Sequence, residues 1–217
     1  SGRLRRRGHL EMKLKLAATA LAIAAATGCI TVNVPLGNGE SVPTYQWILQ
    51  WDAPGEENLR NEFTSPIRIK DLDASGSYQL SGMVVVHEDG TLHESSDNRW
   101  VSRPGAMLSE MLARDLVAAG GFPGVFRTAA SVNELVTLEG YVREFGAEQV
   151  DSTTWIAVLD VDVTLLSNRG AEIVMQRNYR YERRLPQTGF REMAVQLSVL
   201  SSTWSQAVRE DIYDNID

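Results

Sequence analysis

Between Thr153 and Leu166 the chain alternates without a break: Trp155, Ala157, Leu159, Val161, Val163 and Leu165 are apolar at every second position. Side chains of an extended strand point to opposite faces in turn, so this run fits a sheet with one dry and one wet side. What covers the dry side is also written in the sequence. Ser102 to Gly120 carries Met107, Leu108, Met111, Leu112 and Leu116 as one stripe at helical spacing. Pro104 suits its first turn, and Gly120-Gly121 followed by Pro123 stops it. Phe190 to Ile212 repeats the pattern with Phe190, Met193, Leu197, Leu200, Trp204, Ala207 and Val208.

The remaining strands follow from local composition. Tyr45 to Trp51 is aromatic and β-branched, Pro66 to Ile69 is a short second strand, and Gln79 to Val86 a third. Glu88-Asp89-Gly90-Thr91 turns the third strand into a returning segment near Leu92. Leu135 to Phe145 precedes the alternating strand, Ser167-Asn168-Arg169-Gly170 turns it, and Glu172 to Tyr181 returns beside it. Asp52 to Thr64 is polar and reads as a loop. The order predicts an α/β fold of α+β character: one mixed sheet with two long amphipathic helices packed on it, in a single domain over residues 44–217.

Upstream, Met12 to Cys29 has two lysines, an uncharged run from Leu16 to Thr27, and the only cysteine of the chain. A positive start, an apolar core and small residues before a cut site describe a secretory signal over residues 12–28. The run of about a dozen residues is shorter than the roughly 20 a spanning helix needs. Ala26-Thr27-Gly28-Cys29 resembles a bacterial lipobox, which implies a diacylglycerol on the Cys29 thiol, cleavage before it, and acylation of the new amino terminus, with palmitate as a usual chain. Residues 1–11, with Arg5, Arg6 and Arg7, read as a leader or expression remnant. Residues 29–43 hold two prolines and two glycines after the anchor and read as a flexible tether, on the order of 40 Å if extended. Ile30 is not the Asp that retains lipoproteins at the inner membrane, so the expected location is the periplasmic face of the outer membrane.

Charge narrows the partners. The first 28 residues carry six Lys/Arg and one Glu, which leaves 15 basic and 27 acidic residues and a formal charge of −12. So acidic a surface repels phosphate backbones and anionic headgroups, which argues against nucleic acid and against attachment through basic patches. Membrane attachment falls to the acyl chains, each buried methylene contributing roughly 0.8 kcal/mol. With Cys29 spent on lipid, no intramolecular disulfide is available and the fold rests on packing.

The order of these features resembles the ABC-type transport auxiliary lipoproteins, the PqiC-like family. The resemblance runs from the lipobox and the aromatic strand Tyr45 to Trp51 to a hairpin ending in Arg99-Trp100 and the helix with Pro104, Met107, Leu108 and Leu112. The alternating strand, the turn at Asn168-Arg169-Gly170 and a terminal amphipathic helix complete it. It implies a non-enzymatic outer-membrane lipoprotein. Its partner would be a periplasmic MCE-domain protein that works with an ABC transporter in moving lipids between membranes, and it would assemble as a homo-oligomeric ring. Two other readings remain open from the residues: an assembly factor or plug for an outer-membrane barrel, and a periplasmic hydrolase.

Four constellations bear on that choice. His87 and His93 are expected on opposite faces of a hairpin centred on Asp89-Gly90, where they share no metal ion. Asp160 and Asp162 share a strand face about 7 Å apart, a spacing that suits acid–base work on a sugar, but they are expected as solvated surface of the wet side. Arg177, Arg180, Arg183 and Arg184 are a basic cluster, read either as a docking patch or as partners for nearby carboxylates. Trp100, beside Arg99 and Arg103 at the head of the first helix, is either core or an interface anchor. No nucleophile elbow, phosphate loop or cofactor motif is present.

Overall fold

Nine strands are threaded in a simple order in the computed structural model, which describes residues 43–52, 63–128, 136–167 and 172–216. The chain runs through β1 (Tyr45–Trp47), β2 (Ile67–Ile69), β3 (Asp73–Ala74), a 3-10 turn (Gly76–Gln79), β4 (Gly82–Val86), β5 (Leu92–Trp100) and α1 (Pro104–Ala119). It continues through β6 (Val125–Phe126), β7 (Val136–Gln149), β8 (Trp155–Ser167), β9 (Glu172–Arg184) and α2 (Phe190–Asn215). These belong to a compact unit spanning Val42–Asp217. The signal, Cys29, the tether up to residue 42, most of the Asp52 to Thr64 loop, Leu135 and the turn at Asn168-Arg169-Gly170 lie outside the described residues.

β7 is the spine. On one flank β8 pairs with it antiparallel from Thr137–Leu166 to Gln149–Trp155, and β9 pairs antiparallel with β8. On the other flank β2, β3 and β4 lie in tandem, each parallel to a successive stretch of β7. β6 extends the sheet from β2, and β5 and then β1 extend it from β4. The result is a mixed, curled sheet with both helices on one face, as the alternation predicts.

Strand parity explains how one spine serves so many neighbours. Val136, Leu138 and Val142 of β7 are buried, and a bulge between Val142 and Glu144 inserts one extra residue. The helix-facing positions then become Phe145 and Ala147. A single bulge residue flips every later side chain to the other face. Gly146 sits where β4 comes closest: a Cβ there would lie 2.5 Å from the Val84 carbonyl oxygen.

The dry face holds the core. Ala157, Leu159, Val161, Val163 and Leu165 of β8 are at most 2% exposed, and Leu108, Leu112, Leu116, Leu197, Trp204 and Val208 from the two helices pack against them. Each such side chain contributes roughly 1.5–3 kcal/mol through burial. Pro104 stands at the start of α1, and Gly120 (φ 75°) closes it by donating its N–H to the Leu116 carbonyl. α1 and α2 are also pinned by polar atoms. Asp115, 6% exposed, accepts the Trp51 indole N–H at 2.6 Å on one oxygen and the buried Ser205 hydroxyl on the other. Among the described residues no helix is long and apolar enough to cross a membrane.

Candidate functional site

Trp100 ends β5 pointing inward. It is 2% exposed and meets Phe145 edge-on with ring centroids 5.2 Å apart, so it anchors the core. Arg99 is turned aside to Ser81, donating from Nε and Nη2 at 3.2 and 2.8 Å. Immediately afterwards the chain surfaces: Val101 is 50% exposed, and Arg103, at the N-cap of α1, is exposed. The Val101 N–H donates to the Trp47 carbonyl at 2.8 Å, which sets the β1 end beside the head of α1.

Between these two elements lies a groove of about 320 Å³. Its apolar wall comes from Ile48, Leu49, Trp51, Val101, Met107 and Met111, and Glu110, Arg114 and Arg127 stand at its polar rim. Ile48 is 64% exposed and Val101 50%, so the outer part of this apolar wall faces solvent. The rim is fixed in place. Arg127 donates to Asp71 at 2.5 Å and lies 3.6 Å from Glu110, while Arg114 donates to Glu110 at 3.0 Å and sits 5.8 Å over the Trp51 ring. Asp115 holds that ring from behind. The result is an apolar cleft with charges of both signs around it.

The four arginines of β9 do not form one patch. Arg177 and Arg183 face the helix side, opposite Val163 and Ala157, whereas Arg180 and Arg184 face the other side, opposite Asp160 and Ile156. Arg177 pairs with Asp211 of α2, and Arg184 donates to Thr154 at 3.1 Å. Arg180 is held among four carboxylates, at 2.8 Å from Glu144, 3.1 Å from Asp160, 2.9 Å from Glu182 and 3.3 Å from Glu148. Partial burial disfavours its charge, but the hydrogen bonds to Glu144, Glu182 and Asp160 outweigh that and hold its pKa above the ordinary arginine value.

The expectation of solvated carboxylates fails for Asp160. It is 8% exposed, lies beneath Arg180 and accepts from Asn178 at 2.6 Å. Asp162 shares the same amide at 3.0 Å and accepts from Arg143 at 2.5 Å. Val158 on that outer face is buried too, whereas Gln176, Asn178, Arg180, Glu182 and Arg184 of β9 on the same face are exposed, so this side of the sheet is the polar, solvated one. Both carboxylates therefore accept from Asn178 and from an arginine.

The histidine expectation also fails, for a countable reason. His87 donates its N–H to the Thr91 carbonyl at 2.7 Å, Val86 pairs with Leu92 and Val85 with His93. The turn therefore holds three residues, Glu88, Asp89 and Gly90, with Gly90 at φ 81°, instead of two. The odd count puts His87 and His93 on the same face, ring centroids 6.1 Å apart. Among the described residues no group of three or more His, Cys, Asp or Glu side chains is arranged to hold a metal.

The structure is thus a curled mixed sheet backed by two helices, with a groove at the β1 end and outer-face carboxylates held in ion pairs. Residues 49–210 match the family described as ABC-type transport auxiliary lipoprotein component, and the chain belongs to that family. It is a transport-auxiliary family, not an enzyme family. No curated protein matches the chain by sequence. Among solved structures, a Xanthomonas campestris protein of family DUF330 superposes with a TM-score of 0.67 at 15% identity, over 76% of this chain and 92% of that one. An uncharacterized protein superposes with a TM-score of 0.63 at 15% identity, over 78% and 99%. At that identity the likeness shows a shared fold.

Proposed function

We propose that this chain is an accessory lipoprotein anchored through acyl chains on Cys29 to the periplasmic face of the outer membrane. There it docks a periplasmic MCE-domain protein of an ABC-type intermembrane lipid-transport system, itself assembled as a homo-oligomeric ring and without catalysis of its own. The family match over residues 49–210 carries the reading. The lipobox ending at Cys29 and the non-acidic Ile30 after it support the anchor and the sorting. The groove between the β1 end and α1 is the docking surface: it exposes Ile48 and Val101 beside fixed charges, and Arg103 stands exposed next to it.

Ile48→Asp and Val101→Asp test the surface. Both side chains are at least half exposed, so the unfolding free energy of each variant stays within about 0.5 kcal/mol of the native protein. Placing a charge in an apolar anchor pocket weakens docking by roughly 2 kcal/mol or more, about thirtyfold. Capture of the MCE-domain protein from native membranes should therefore fail with either variant. Retained capture by both, with capture lost instead on replacing Arg183 or Arg184, would move the docking surface to the β9 edge.

A further inference from the structure

The three-residue turn between β4 and β5 has a chemical consequence. His87 and His93 are diagonal neighbours on one face of an antiparallel pair, within reach of each other. The His87 Nδ1 lies 2.5 Å from the Gln149 side-chain carbonyl oxygen, which only accepts, so Nδ1 carries the proton. With Nδ1 engaged, Nε2 is the His87 nitrogen left for a ligand, on a ring held by an amide from β7. His93 is exposed, and His87 is half-buried.

We propose that His87 and His93 form a bidentate site for a borderline divalent transition ion such as Zn(II), Ni(II) or Cu(II), with the remaining coordination positions filled by water. At a metal–nitrogen distance of about 2.0–2.1 Å an imidazole centroid sits roughly 3.2 Å from the ion, which puts two rings on a tetrahedral centre about 5.2 Å apart. The observed 6.1 Å closes to that value by side-chain rotation of the exposed His93. Gln149 is a positioning residue: it fixes the tautomer and the ring of His87, the role a hydrogen-bond acceptor behind a ligand histidine ordinarily fills. A pair of imidazole nitrogens favours nitrogen-seeking ions over Mg(II) or Ca(II), with Cu(II) bound tightest.

The chain has three histidines and one cysteine, so the test is clean. Full-length protein carrying Cys29→Ser, which removes the competing thiol, is titrated with Zn(II) or Ni(II) against a chromophoric chelator. One equivalent should bind. His87→Ala and His93→Ala should each weaken binding by roughly tenfold or more, and Gln149→Leu by about tenfold, while Gln149→Glu restores it. His9→Ala should change nothing. Because His93 is exposed, its variant stays folded, and an unchanged circular dichroism spectrum verifies that. Equal affinity in the native protein and His93→Ala, or loss of binding in His9→Ala, overturns the assignment. So does a Gln149→Leu variant that binds as tightly as the native protein.

Discussion

Asp115 offers the sharpest test of how the groove is built. Its carboxylate is 6% exposed and has two partners: the Trp51 indole, which forms part of the groove wall, and the Ser205 hydroxyl on α2. Asp115→Ala leaves both donors without an acceptor. A buried unsatisfied donor costs about 1–3 kcal/mol. Ser205 is fully buried and belongs in the upper part of that range, whereas Trp51 is partly exposed and recovers some hydration. The sum is about 3 kcal/mol, which lowers the melting temperature by roughly 6–12 °C in a domain of this size. Asp115→Asn keeps a carbonyl for Trp51 and should lose less than half as much. Denaturant unfolding of Asp115→Ala, Trp51→Phe and the double variant completes a double-mutant cycle, in which Asp115 and Trp51 should couple by about 1 kcal/mol. An Asp115→Ala variant within 1 kcal/mol of the native protein would refute the clamp, and a cycle that sums to zero would detach Trp51 from it.

Other consequences follow from single contacts. Gly146→Ala drives a methyl group into the Val84 carbonyl, separating β4 from β7, and should cost about 1–3 kcal/mol in chemical denaturation. Arg180→Met removes the cation above Asp160; with the arginine partly exposed the loss is about 1–2 kcal/mol, and adding Asp160→Asn should recover most of it. Burial, followed by the charges of Glu144 and Glu148, pushes the Tyr78 phenol up to about 12, and burial together with the Asp211 hydrogen bond raises Tyr179 as well. The folded state thus prefers the neutral phenols, so their contribution is intact below pH 10 and is lost as pH climbs from about 10 through 12. The unfolding free energy from urea titrations should hold to pH 10 and then fall by up to about 1.4 kcal/mol per pH unit for each of these two phenols. A flat profile to pH 12 would contradict the burial of Tyr78.

The parts of this fold that were legible in the sequence are those with a long, regular period. The alternation of Trp155 to Leu165 and the stripes of α1 and α2 each repeat often enough to name a face, and the structure buries those faces. What escaped was short or depended on counting. β3 and β6 have two residues each, too few for any period, and are held by pairing with β7 and β2. β5 is nine residues long, but Leu92-His93-Glu94-Ser95-Ser96-Asp97 carries no apolar alternation, since its outer half is largely exposed. One extra residue in the turn at Gly90 reversed the relation of His87 to His93, and a bulge in β7 did the same to its second half.

The arginines of β9 show a signal that was present and unused. Positions 177 and 183 are odd and 180 and 184 even, so a strand must send them to opposite faces, as it does. The groove had no such signal. Ile48 and Val101 are far apart in the chain and meet because β1 pairs in parallel with the end of β5, a long-range choice that no local pattern encodes. Asp115 and Ser205 were visible as polar residues on otherwise apolar helical faces, and such residues call for a buried partner.

The most direct test is a capture experiment from native membranes with the full-length protein, comparing the native chain with Cys29→Ala. The account predicts that the native protein stays in the outer-membrane fraction and brings down an MCE-domain protein with its ABC transporter, while Cys29→Ala leaves the membrane. A native protein found free of the membrane would contradict the anchor, and an anchored one that brings down an integral barrel would contradict the partner.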